Sequence, residues 1–202
     1  MGTSRLAATL KHGSKARRLV LAALLCAFGA AAFILALFAG SALAAGLLTN
    51  GSFETDTDLD GIPDGWDGNA NLTSKDKRVC NQSYAGACSF KMVAQGTTKV
   101  LDYSSDLGSG TAGDKFKLKA WTKGKDIVNG GGQAQVWVQI NLTGGGTSSV
   151  SINLPSGSSP WTLRKETVEA SADYDTIFVY VYVNASSGKA WFDKVVLTHV
   201  AP

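Results

Sequence analysis

Between Glu54 and Asp67 the chain reads ETDTDLDGIPDGWD, and six of these fourteen residues carry carboxylates. Asp56, Asp58, Asp60 and Asp64 fall at positions 1, 3, 5 and 9 of a loop with Gly61 at position 6. That is the oxygen spacing of a calcium loop. Charges this close repel one another unless a cation neutralises them. Pro63 at position 8, Asp67 in place of the bidentate Glu at position 12, and the missing helical flanks argue against an EF-hand. The expectation is a helix-less calcium loop, set against the plainer alternative of a solvated acidic turn.

A second chemistry is carried by aromatic residues. In Ala134–Leu142 (AQVWVQINL), Val136, Val138 and Ile140 share one face, and Trp137, Gln139 and Asn141 the other. In Thr176–Val183 (TIFVYVYV), Ile177, Val179, Val181 and Val183 oppose Phe178, Tyr180 and Tyr182. If the valine faces form the core, both aromatic stripes point outward. Sugar rings stack their apolar faces on such rings, and their hydroxyls pair with amides and carboxylates. The competing reading is that the stripes only cover sheet surface or pack beneath a loop.

These stripes require strands to position them. Past residue 45 the pattern has period two, not 3.6, with further runs at 89–94, 98–103, 115–121, 149–154, 163–170 and 189–200. Glycine, proline and serine clusters separate them, and no long amphipathic segment interrupts. The expected fold class is all-β, a β-sandwich jelly roll of two antiparallel sheets over residues 45–202 as a single domain.

Residues 1–44 read differently. A basic start is followed by an uncharged run from Leu19 to Gly40 and by Ala42-x-Ala44, the small-residue pattern of a signal cleavage site. The run of 22 residues is long enough to span a bilayer, so an uncleaved anchor helix is the alternative. Either way the remainder lies outside the cell, secreted or on the surface, and touches membrane only through 19–40. Cys80 and Cys88, the cysteines left after cleavage, are expected to form a disulfide, as an even pair in an exported chain does.

Charge excludes one partner. Five basic residues precede residue 20; from Ala45 onward there are 14 basic and 16 acidic residues, a net of −2. No nucleic-acid backbone is expected to bind such a body. Catalysis has no support either: the chain has no Gly-x-Ser-x-Gly, no phosphate loop and no histidine cluster. The chain reads as a non-enzyme.

Three segments carry a family resemblance. Leu47–Glu54 (LLTNGSFE) with Gly65-Trp66 resembles the opening strand of the carbohydrate-binding modules of families four, nine and twenty-two. Asp114–Lys123 (DKFKLKAWTK) is similar to their mid-chain strand, and Ala190–Leu197 (AWFDKVVL) to their closing one. The acidic insertion resembles the aspartate-rich calcium repeat of thrombospondin type. The resemblance implies a galactose-binding-like jelly roll that binds glycan without catalysis. It also implies a structural calcium on Glu54 and Asp193, with a second ion carried by Asp56, Asp58, Asp60 and Asp64. It places Trp66, Trp121 and Trp191 in or near the core and leaves Trp161 open as a stacking residue or a plug. The glycan contacts expected are Trp137, Gln139, Asn141, Tyr180 and Tyr182. The rival reading is a structural or adhesive surface protein that uses the same fold for protein contacts or self-assembly.

Overall fold

In the computed structural model, which describes residues 46–200, the period-two pattern becomes alternating burial. The predicted signal or anchor segment lies outside the described residues. Along Tyr174–Val183, Ile177, Val179, Val181 and Val183 are at most 1% exposed, while Phe178, Tyr180 and Tyr182 are half-buried. Each side chain of this size withdrawn from water stabilises the fold by about 1.5–3 kcal/mol.

Ten strands result: β1 (Trp66–Gly68), β2 (Lys77–Val79), β3 (Ser89–Ala94), β4 (Lys99–Tyr103), β5 (Lys115–Val128), β6 (Ala134–Leu142), β7 (Thr147–Asn153), β8 (Gly157–Glu169), β9 (Tyr174–Val183) and β10 (Ser187–Val200). They form two five-stranded sheets, ordered β1-β4-β9-β6-β7 (the first sheet) and β2-β3-β10-β5-β8 (the second). Every pairing is antiparallel. The chain shuttles between the sheets, so residues distant in sequence share a face, and the core lies between them. The all-β jelly roll expected from the sequence is the fold observed.

Three details depart from the sequence reading. The short strands β1 and β2 lie in stretches without alternation. Strand β8 begins before Pro160, which an edge strand tolerates because one row of its amides has no partner. The opening segment 47–54 forms no ladder, because Asn50 (φ 50°) and Phe53 (φ 58°) interrupt extended backbone. It docks on the last strand by single bonds instead, Leu47 N to Leu197 O at 2.8 Å and Val195 N to Gly51 O at 2.8 Å. Only glycine fits at 51, since a Cβ there would collide with the Val195 carbonyl.

One buried charge holds the sheets in place. Lys99 and Asp76 have fully buried side chains and pair at 2.7 Å. Lys99 Nζ also donates to Val93 O at 2.8 Å and Gln95 Oε1 at 2.9 Å, so all three ammonium donors are used. Lys99 occupies the inward phase of β4 along with Leu101 and Tyr103.

Candidate functional site

Strands β6 and β9 pair so that Trp137 stands opposite Tyr180, Gln139 opposite Phe178, Gln135 opposite Tyr182 and Asn141 opposite Thr176. The two aromatic stripes therefore merge into one platform on the outer face of the first sheet. Trp137 and Tyr180 have centroids 5.5 Å apart at 41°, and Phe178 stacks on Tyr180 at 5.9 Å and 21°. Gln139 Nε2 donates to Asn141 Oδ1 at 2.8 Å, and Asn141 Nδ2 to Thr176 Oγ1 at 3.2 Å. These bonds fix which polar atoms face outward.

The register extends this platform to residues that the sequence reading did not single out. Tyr180 pairs with Asp102 of β4, Asp102 with Asp67 of β1, and Trp137 with Ser151 of β7. One row, Asp67–Asp102–Tyr180–Trp137–Ser151, crosses all five strands. Burial pushes the Asp102 carboxyl up, and the Asp67 charge adds to this. Burial likewise pushes the Tyr180 phenol up, with Asp102 adding to it. Two carboxylates and a phenol thus share one end of an aromatic row, a pattern that suits hydroxyl ligands. Period-two alternation in the short segment 99–103 was the available signal for Asp102.

The acidic loop sits at the same edge. Carboxylate oxygens of Asp56, Asp58 and Asp64 come within 4.8 Å of one another. Asp60 stands apart, its Oδ1 accepting the Ile62 N–H at 2.6 Å. Hydrogen bonds from Thr57, side chain first and then backbone, hold the Asp64 carboxyl below its usual range. Asp56 Oδ1 is buried with no hydrogen-bond partner. An orphaned carboxylate oxygen beside two others fits a hard cation with oxygen ligands. Asn50 braces the base of this loop, donating to Thr55 O and Asp64 O at 2.9 Å each.

Glu54 and Asp193 flank a single loop, residues 80–88, closed by the Cys80–Cys88 disulfide expected from the sequence. Asp193 Oδ2 accepts the Tyr84 and Ala85 amides at 2.8 and 3.1 Å, while Glu54 accepts those of Ala87 and Cys88. Gly86 (φ 75°) lies against the Glu54 carboxylate where any Cβ would collide. Asp193 is fully buried; burial pushes its carboxyl up, the amides oppose this, and Glu54 adds to it. Both carboxylates are thus held by amides of one loop, and the charge of Glu54 is felt at Asp193.

The remaining tryptophans divide. Trp66 is core, packed at 5.2 Å from Phe53. Trp191 is buried on the outer side of the second sheet, with Lys123 Nζ 5.7 Å over its ring. Trp121 is only half-buried, because the exposed Tyr84 ring stacks on it at 3.4 Å; Trp161 meets Tyr84 edge-on at 6.4 Å. The expected near-core place of Trp121 is therefore an outer-face place, since β5 alternates through it with Phe116, Leu118 and Ala120 inward.

No family model matches the sequence, and no curated protein matches it. Solved structures do match. A structure described as Family 16 Carbohydrate Binding Module-2 has a TM-score of 0.56 and 20% identity, covering 75% of this chain and 99% of its own. The fold is that of carbohydrate-binding modules. TmCBM61, solved with beta-1,4-galactotriose, matches with a TM-score of 0.53 and 15% identity over 77% of this chain and 99% of that one. The CBM22-1 xylan-binding domain of Xyn10C from Paenibacillus barcinonensis matches with 0.51 and 14% over 79% and 97%. Two enzyme structures are matched over a small part of their length: the chain covers 21% of a bacteriophage CBA120 tailspike protein and 27% of the MgGH51 α-L-arabinofuranosidase. The three modules named are matched along nearly their whole length.

Proposed function

We propose that this protein is an exported, non-catalytic carbohydrate-binding module, and that the outer face of the first sheet takes a glycan chain on Trp137, Tyr180 and Tyr182, with Gln139 and Asn141 pairing its hydroxyls. The observation that carries the reading is the β6–β9 register, which sets Trp137 opposite Tyr180 on the solvent side of an otherwise valine-faced pair of strands. Fold neighbours that hold galactotriose or bind xylan support it. The disulfide supports an oxidising, extracellular location.

Calcium stabilises the module in this reading. Asp56, Asp58 and Asp64 would hold one ion, with Asp60 at its margin, and Glu54 with Asp193 a second. Bound calcium would supply positive charge to carboxylates that otherwise repel. The chain's own residues do the rest: Thr57, Asn50 and the 84–88 amides orient those carboxylates.

The test is titration of the full chain with xylo-oligosaccharides and β-1,4-galacto-oligosaccharides in calcium. Trp137→Ala should cost about 1–3 kcal/mol of binding, the value of a large apolar contact, and leave the melt nearly unchanged. A variant that folds and binds every glycan as well as the parent overturns the assignment and leaves the adhesive reading in its place.

A further inference from the structure

The outer face of the second sheet carries a charge pattern that the proposed glycan platform does not use. Cross-strand register aligns Lys77 of β2 with Lys91 of β3, Lys91 with Trp191 of β10, and Trp191 with Lys123 of β5. The adjoining row pairs Lys189 with Lys125. Beyond these lies the row Asp193–Trp121–Leu163, in which the Asp193 carboxylate is buried against the Tyr84 and Ala85 amides and Tyr84 roofs Trp121, and beyond that the row Lys119–Lys165. An aromatic and aliphatic strip is therefore flanked on both sides by cationic rows. Adjacent strands lie about 4.8 Å apart, so the lysines form a dense array.

None of these seven lysines has a carboxylate within salt-bridge distance among the described residues; the ion pairs there involve Lys99, Lys115 and His199. Burial holds Lys91 below its ordinary range, Lys77 and Lys189 lower it further, and the Asp76 charge opposes them. Half of the 14 basic residues of a net-acidic body thus crowd one face. Like charges directly opposite one another in a sheet repel, and a polyanion laid across them relieves that repulsion.

We infer that this face binds an acidic polysaccharide, a uronate-bearing chain whose sugar rings lie on the Tyr84–Trp121–Leu163 strip and whose carboxylates reach the lysine rows on either side. The exposed Tyr84 ring supplies the apolar stacking surface that a sugar requires. All seven cations are lysines, point charges suited to single carboxylates, with no arginine fork of the kind that grips phosphate bidentately. The site is separate from the first-sheet platform, so one module would hold two glycan classes on opposite faces.

The probe is a short oligogalacturonate, compared with the same oligomer after methyl esterification, titrated into the full chain at constant calcium. The free acid should bind and weaken steeply as salt rises, while the ester binds at least tenfold more weakly. Lys125→Glu with Lys189→Glu, both exposed, should weaken acid binding at least tenfold and leave xylo-oligosaccharide binding and the melt unchanged. Tyr84→Ala should weaken acid binding without altering its salt slope. Trp137→Ala should leave it intact; if that variant loses both ligands together, a single site exists and the inference fails while the proposed function stands. Equal binding of acid and ester, full binding by a folded lysine variant, or single-stranded DNA binding as tightly as the oligogalacturonate would each overturn it.

Discussion

Glu54 and Asp193, from the opening segment and the last strand, grip the same short loop from two sides: Asp193 takes the amides of Tyr84 and Ala85, and Glu54 those of Ala87 and Cys88. The disulfide ring is thus the clasp between the two ends of the domain. Loosening any of the three parts should loosen the others.

Calcium removal is the first check. An ion that binds only the folded state stabilises it by about 2.7 kcal/mol at a hundredfold excess over its dissociation constant. A chelator should lower the melting temperature, and Asp56→Asn should remove part of that shift. A melt unchanged by chelator, with no metal found by elemental analysis, would sink both ion sites.

Reducing Cys80–Cys88, or replacing both with serine, should cost roughly 2–3 kcal/mol in denaturant unfolding, the range for a small closed ring. Amide exchange should rise first at Tyr84 and Ala85, where the grip of Asp193 depends on the loop. Protection unchanged at those amides would mean the carboxylates hold the loop unaided.

The Lys99–Asp76 pair predicts an asymmetry. Asp76→Asn strands a buried ammonium and should cost about 3–5 kcal/mol. Replacing both residues with apolar ones of similar volume should recover much of the loss. Burial pushes the Asp76 carboxyl up, but the bonds from Lys99, Val93 and Thr73 outweigh it, so its folded value lies below the ordinary 3.8. A depressed acid stabilises above its unfolded pKa and loses that contribution as pH falls through the folded one. Stability should therefore drop below about pH 4, and less steeply in the double variant.

Tyr174 offers a spectroscopic reading. Its hydroxyl donates to Asp114 Oδ2 at 3.0 Å, and burial, then the Asp114 bond and charge, push its pKa up to about 12. In an alkaline absorbance titration this phenol should ionise only as pH approaches 12. The raised value means its contribution to stability is complete below pH 10 and is lost as pH rises towards 12. In Asp114→Asn it should ionise earlier; no change would assign the shift to burial alone.

Much of this is legible in the sequence where one face of a strand is apolar without interruption. The valines of β9 fix which way Tyr180 points, because a slip of one residue would bury every aromatic and expose every valine. Strand pairing is not written locally. That Trp137 meets Tyr180, and that Asp102 joins them, depends on β4 and β6 flanking β9, which no spacing in the chain encodes. Lys99 is misleading for the same reason: its type says surface, while its phase in β4 says core, and Asp76 from a distant turn decides in favour of phase. The cationic rows stay hidden because Lys115–Lys125 alternates like any amphipathic strand, and only the register brings Lys77, Lys91, Lys165 and Lys189 beside it.

The row from Asp67 to Ser151 crosses five strands, and four inter-strand gaps of about 4.8 Å give it a width of about 19 Å. A ligand laid along that row is measured by it. Each added sugar finds a new strand until the chain overhangs β7, and units beyond that edge touch only water. Affinity plotted against oligosaccharide length would then rise and level off, and the length at the plateau is a solution measurement of the width of the sheet.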